Sequence, residues 1–187
     1  EWSTALGGNG HRYDVVEDLV TWTDAAVLAN TMGAGADLAS LTTWDEATFV
    51  AAYLEWDIDS NGELWLGGEQ AALATDPTVG WSWRIGDPWS WARWDDGATN
   101  QPDTSGAPET ALLAIAPTDL DEFVWDWDDE EPDVEAAGWL VEYNRDCDSD
   151  GILDECQIGN GISPDCDHDG RIDSCMIDDG IVPDCNG

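Results

Sequence analysis

Residues 94–129 read WDDGATNQPDTSGAPETALLAIAPTDLDEFVWDWDD, and this stretch decides the fold. At its centre stand Gln101, Pro102 and Asp103, with Glu109 in the same segment and Trp127, Asp128 and Asp129 later. Calcium takes about six to eight oxygens at roughly 2.3–2.6 Å, drawn from carboxylates, side-chain amides and backbone carbonyls. Gln101, Asp103, Glu109, Asp128 and Asp129 offer that chemistry from two segments that a fold can bring together, so they read as one calcium site. A proline between two ligands fits this reading, because X-Pro bonds can be cis and a cis bond turns neighbouring carbonyl oxygens onto one side of a loop.

Working outward, the chain presents a first helix, LASL at 38–41, a second helix and LWLGG at 64–68. A tryptophan-rich middle, QPD at 101–103, Glu109, WDD at 127–129 and a closing GWLVEY at 138–143 complete the order. This series resembles C-type lectin-like domains over roughly residues 11–143, a span of ordinary domain size. The resemblance implies an α+β fold, with two helices packed on small antiparallel sheets and a long calcium-binding loop region. It also implies that Gln101, Asp103, Glu109, Asp128 and Asp129 hold a calcium ion whose shell is completed by a sugar's vicinal hydroxyls. Gln-Pro-Asp is similar to the form associated with galactose-type sugars. Asp128 stands where the family usually has Asn, which makes one ligand more acidic. Family members usually carry disulfides here. Ala29 and Val141 occupy the positions of one pair and Ala111 replaces the cysteine after the calcium glutamate, which implies apolar packing in place of a bridge.

Composition narrows the function classes. Five basic and 42 acidic residues give a net charge of -37, a surface that repels nucleic acid and anionic membranes alike. Such an acidic excess often marks disorder, but 42% hydrophobic content and 13 Trp argue for a packed domain with an acidic surface. No apolar run approaches the length of a membrane span. The first residue is Glu, so a processed or trimmed chain is expected.

Taken in order, the chain predicts a strand from Arg12 to Val16 and a helix from Trp22 to Met32 with Thr21 or Thr23 at its start and Gly33 at its stop. His11, beside glycines, reads as a turn-packing residue more readily than as a ligand. A short strand or turn follows at DLASL. Thr43 and Glu46 resemble a capping box for a second helix whose inner face is Ala47, Val50, Ala51 and Leu54. Asp57, Asp59, Asn61 and Gly62 resemble the opening of a calcium loop, but the apolar LWLGG that follows favours a plain turn. Trp81 with Trp83, and Trp89 with Trp91, alternate as strands with one buried face do. Exposed aromatics would stack on sugar rings, but a tryptophan-rich core explains most of them, and Trp94 lies nearest the expected site. Ala111–Ile115 reads as a strand, and APTDLDE at 116–122 as a polar insertion. That insertion makes Trp125-Asp126 a rival for the place of Trp127-Asp128-Asp129, and the latter is preferred because it supplies two adjacent oxygen ligands.

From Asp146 the sequence changes character. Asp146, Asp165 and Asp184 each open a copy of a repeat with a 19-residue period, the third copy ending at DCNG. Asp146, Asp148, Asp150 and Asp154 take the first, third, fifth and ninth places of a calcium loop, with Gly151 at the sixth. Asp165, Asp167, Asp169, Asp173 and Gly170 repeat the placement. Position twelve is Gln157 or Met176, so neither copy has the bidentate Glu of an EF-hand. Asp-rich loops with cysteines in step resemble thrombospondin type 3 repeats, in which metal and disulfides replace a core. All five cysteines (Cys147, Cys156, Cys166, Cys175 and Cys185) lie here. Pairing within loops leaves Cys185 over, and pairing between loops leaves Cys147. Their regular spacing points to an oxidising, calcium-containing compartment outside the cell.

The expected organisation is therefore a lectin-like domain over 1–144 and a calcium-binding repeat tail over 145–187. The expected role is a secreted, Ca2+-dependent glycan-binding protein of galactose type. The alternative is a structural or adhesive extracellular protein, a homo-oligomer or head-to-tail polymer joined through its tail. An enzyme is the weakest class, because no nucleophile and base stand in a recognisable arrangement.

Overall fold

The computed structural model describes residues 2–3, 7–33, 35–54, 56, 58, 62–71, 74, 76–97, 101–103, 108–117, 124–143, 157, 161–164 and 172. The chain opens with strand β1 (Arg12–Thr21), helix α1 (Trp22–Ala29), strand β2 (Ala36–Leu38) and helix α2 (Trp44–Leu54). Strands β3 (Leu64–Gln70), β4 (Trp81–Trp83), β5 (Ala111–Ile115), β6 (Asp126–Glu130) and β7 (Glu135–Tyr143) follow. Among the described residues the strands make one seven-stranded sheet in the order β1-β7-β3-β5-β6, with β2 on β7 and β4 on β3. Every pairing is antiparallel except β3 with β7, where Leu64 and Trp65 lie beside Gly138 and Trp139. The closing strand β7 thus runs alongside the opening strand, Arg12 opposite Tyr143 and Thr21 opposite Glu135. Gly138 permits this three-strand junction, since a Cβ there would sit 2.3 Å from the Val16 carbonyl oxygen.

The helices differ from the sequence expectation at their ends. Thr21 caps α1, its hydroxyl accepting from the Asp24 N–H at 3.2 Å. The helix stops at Ala29 rather than Met32, because Asn30 Nδ2 donates to the Ala26 carbonyl (2.8 Å) and Thr31 Oγ1 to that of Leu28 (2.7 Å). These side chains take carbonyls that another helical turn would need, and Met32 is left exposed. At α2, Thr43 Oγ1 accepts from the Glu46 N–H at 3.2 Å. The reciprocal half of the capping box goes one residue further back, to the Thr42 N–H (2.6 Å) and hydroxyl (2.8 Å). Leu54 is only partly buried, and Glu46 joins Ala47, Val50 and Ala51 among the buried residues of the helix.

Two apolar clusters hold the layers together. One gathers Val50, Leu64, Leu66, Trp81, Trp83, Leu112, Trp125 and Trp127; the other gathers Trp22, Leu38, Trp65, Leu113, Trp139 and Val141. Ala29, Ala111 and Val141, standing where the lectin-like pattern expects cysteines, are all fully buried in the second cluster. β4 alternates as expected, Trp81 and Trp83 in and Ser82 out. Trp89 and Trp91 do not form a strand. Their rings pack on Trp127, with centroids at 5.8 and 5.0 Å, so side-chain packing rather than a ladder sets this segment. β1 extends to Thr21, five residues beyond the expected end, because Glu17 and Val20 continue the pairing with β7 across a register shift. Asp57, Asp59 and Asn61 lie outside the described residues, as do residues 118–122 of the insertion.

Candidate calcium and ligand site

The site is assembled where the tryptophan-rich segment meets β6. Trp94 forms an isolated parallel bridge with Trp127. The Trp127 N–H donates to the Arg93 carbonyl (2.7 Å), and the Asp95 N–H to that of Trp127 (3.0 Å). Asp95 is buried; its carboxylate accepts from the Gly97 N–H at 2.9 Å and its carbonyl from the Gln101 N–H at 2.6 Å. This residue therefore sets the entry to Gln101-Pro102-Asp103, whose X-Pro bond is cis. The Asp103 N–H then donates to Asp129 Oδ1 at 3.0 Å, tying the tripeptide to β6. Glu109 lies two residues before β5, which pairs with β6 so that Leu112 faces Asp129 and Leu113 faces Asp128.

Gln101, Asp103, Glu109, Asp128 and Asp129 thus come from three neighbouring segments of one end of the sheet. Burial, followed by the charges of Asp129, Asp103, Glu130 and Glu131, pushes Glu109 up to about 7. Burial, then Asp129, Glu130, Glu63 and Glu109, does the same to Asp128, also to about 7. Asp129 rises to about 6, chiefly through burial, with the Asp103 N–H pulling the other way and the charges of Asp103 and Glu130 adding. Gln101 Oε1 and Asp128 Oδ1 are buried with no hydrogen-bond partner. Unpartnered oxygens and mutually repelling carboxylates are the donor types a hard dication satisfies, but among the described residues Asp103, Glu109, Asp128 and Asp129 do not bring three carboxylate oxygens within 4.8 Å of one another. Asp126, by contrast, pairs with Arg93, Nε to Oδ1 at 3.0 Å. Arg93 also donates to the Trp125 carbonyl at 3.2 Å. Trp94 is half-buried with its ring 5.0 Å from that of Trp81, part of the aromatic core as much as a wall of the site.

A second group of ionisable residues was not legible from the sequence. Among the described residues, His11, Glu46 and Glu142 bring their ligand-type atoms within 4.8 Å of one another. Their oxygens are already occupied. Glu142 Oε2 accepts from the Ser40 N–H (2.7 Å) and hydroxyl (3.0 Å), and Oε1 faces His11 Nδ1. Glu46 accepts from Thr42 through one oxygen and from Tyr13 (2.6 Å) and Asn9 through the other. This is a saturated ion-pair network. His11 and Glu142 are 131 residues apart in the chain, so no local spacing announces it.

The candidate ligands of the tail, Asp146, Asp148, Asp150, Asp154, Asp165, Asp167, Asp169 and Asp173, and all five cysteines lie outside the described residues. Of the repeats, Gln157, residues 161–164 and Ile172 are described, and Gln157 and Ile172 are buried. Gln157 Oε1 accepts from the Ser163 hydroxyl at 2.6 Å. Among the described residues no helix is long and apolar enough to cross a membrane.

No family profile matches the chain, and no curated protein matches it. Solved structures do. The C-type lectin CEL-I from Cucumaria echinata is 21% identical with a TM-score of 0.57, over 71% of this chain and 89% of that one. The cow CD23 C-type carbohydrate-recognition domain, solved in the presence of a GlcNAc2Man3 oligosaccharide, is 17% identical with a TM-score of 0.55, over 71% and 87%. A calcium-independent type II antifreeze protein is 19% identical with a TM-score of 0.53, over 71% and 85%. Two helices on a mixed sheet, closed by β7 against β1, give this chain the C-type lectin-like fold.

Proposed function

We propose that the protein is a calcium-dependent carbohydrate-binding protein of galactose type, with Gln101, Asp103, Glu109, Asp128 and Asp129 holding the ion and presenting it to a sugar's vicinal hydroxyls. The observation that carries this reading is that Gln101 Oε1 and Asp128 Oδ1 are buried and unpartnered, with Asp128 feeling the charges of Asp129 and Glu109. Calcium would supply the positive charge that these oxygens share with the sugar. The chain's own part is to orient them through Asp95, the Asp103–Asp129 hydrogen bond and the β5–β6 ladder. The likeness to sugar-binding structures supports the reading at the level of fold alone. On this account residues 1–144 form the binding domain and 145–187 a calcium-loaded, disulfide-bonded tail, in a secreted or cell-surface protein.

The test is a glycan array in millimolar calcium, repeated in chelator and with Asp103→Ala. Chelator-sensitive binding that is lost in the variant is expected, with galactose-type glycans leading. The net charge of -37 and the cysteine-containing repeats favour a second reading, a structural or adhesive protein that assembles through its tail. Absence of glycan binding by folded, calcium-loaded protein, together with chelator-sensitive assemblies, would select it.

A further inference from the structure

The saturated network away from the calcium site carries an inference of its own. The stretch containing Trp2, Ser3 and residues 7–11 folds back on itself before β1. The Trp2 N–H donates to the His11 carbonyl (2.8 Å), the Gly10 N–H to that of Trp2 (2.8 Å) and the Gly8 N–H to that of Ser3 (3.0 Å). A Cβ on Gly8 would lie 2.2 Å from the Trp2 carbonyl oxygen, so the loop closes only with glycine there. The Trp2 ring stacks on Phe49 of α2 at 5.7 Å, and Phe49 stacks in turn on the exposed Tyr53 at 5.2 Å. Between the loop and the start of α2 lies a cavity of about 300 Å³ walled by Trp2, Asn9, Thr42, Asp45 and Glu46.

Two side chains tie this loop to the rest of the domain. Asn9 donates to Glu46 and, at 2.8 Å, to the Tyr13 hydroxyl. His11 Nδ1 meets Glu142. Glu46 and Glu142 are almost wholly buried, at 2% and 1% exposure; burial pushes the Glu142 carboxyl above its ordinary value while the His11 hydrogen bond and charge oppose that rise, so a charged imidazole lowers the cost of keeping it ionised. The charged groups facing His11 are Glu142 on β7, Glu46 on α2 and Asp87 in the loop after β4. All are acidic. Tyr13 of β1 adds a neutral hydroxyl, held protonated by burial and by the same two glutamates. The imidazole is thus the one cation-forming group in the network among the described residues, and at 20% side-chain exposure it remains open to solvent protons.

We propose that His11 is a proton-operated clasp: as imidazolium it pins residues 7–11, and Trp2 bonded to them, onto β7 and α2, and on losing its proton it releases them and uncovers the Phe49–Tyr53 aromatic stack. Burial works against the charged ring, but the Glu142 hydrogen bond and the charges of Glu142, Glu46 and Asp87 outweigh it, and His11 titrates above its ordinary 6.5. The stabilisation is therefore fully present below 6.5 and disappears as pH rises through the folded-state value.

The experiment uses the full chain with ring-labelled histidine. It carries two histidines, so their NMR titrations are separable. The ring of His11 is expected to titrate above 6.5, and amide protection at residues 8–11, corrected for intrinsic exchange rates, to fall at least ~10-fold with the same midpoint. His11→Gln is expected to show low protection and no such pH dependence. Glu142→Gln is expected to bring the His11 midpoint down. A wild-type His11 midpoint at or below 6.5, protection that does not change across the titration, or an unaltered pH dependence in His11→Gln would overturn the proposal. The wild-type titration decides the matter even if either variant fails to fold.

Discussion

Asp128→Asn puts the electrostatics of the candidate site to a quantitative test. Burial and the charges of Asp129, Glu130, Glu63 and Glu109 push Asp128 from 3.8 to about 7. At ~1.4 kcal/mol per unit the whole shift corresponds to ~4 kcal/mol. The side chain is half-exposed and its neighbours titrate with it, so solvent screening and coupling reduce the residue's own share to ~1–2 kcal/mol. In chelator, the folded state holds a proton that the unfolded chain has already given up. This contribution is present at low pH and is lost as pH rises from about 4 to about 7. The neutral amide escapes that loss. At pH 8 without calcium the variant should melt roughly 3–6 °C above the parent, and at pH 4 the two should coincide. Millimolar calcium should reverse the order, because the parent's extra charge strengthens the ion's hold and binding to the folded state raises stability. Thermal melts at pH 4 and pH 8, with calcium and with chelator, are sufficient. A variant no more stable than the parent at pH 8 in chelator, or a difference that persists unchanged at pH 4, would refute the reasoning.

Trp127→Ala should cost ~3–5 kcal/mol in urea unfolding, because the ring is fully buried and meets those of Trp83, Trp89, Trp91 and Trp94; a loss under ~1 kcal/mol would mean that the cluster repacks freely. Thr21→Ala removes the α1 cap and should cost ~1 kcal/mol by the same assay, while Thr23→Ala should cost much less. Gly138→Ala should fail to fold or lose several kcal/mol, since the added carbon meets the Val16 carbonyl oxygen at 2.3 Å; a circular-dichroism melt reads it. If the repeats are calcium loops, chelator should speed proteolysis within residues 145–187, read by mass spectrometry of the fragments, and calcium should restore protection.

Much of this was legible in the sequence because it is local. The Ala111–Ile115 run reads as a strand from its apolar residues alone, and that strand is where it lies. Residue type narrows the α1 cap to Thr21 or Thr23, and the structure selects Thr21; spacing marks Ala47, Val50, Ala51 and Leu54 as the inner face of α2, of which Leu54 is only partly buried. The ends of α1 were harder, because Asn30 and Thr31 end it through side-chain bonds that compete with the helix. Trp89 and Trp91 alternate as strand residues do, but their rings pack on Trp127 without a ladder; tertiary packing overrode the pattern. The residues of the candidate site were nameable from type and order, whereas Asp95, which holds the entry to Gln101, was hidden among many other aspartates. By sequence alone Glu46 is half of a capping box and His11 a turn residue. Their shared role with Glu142 depends on β7 returning beside β1, and no window of sequence contains that event.

The most direct test of the central claim is a crystal grown with calcium and galactose, examined by anomalous scattering. The account predicts an ion bound by Gln101, Asp103, Glu109, Asp128 and Asp129 with two sugar hydroxyls in its shell. Calcium found only among the tail aspartates, with the Gln101 and Asp128 oxygens satisfied by water, would contradict it.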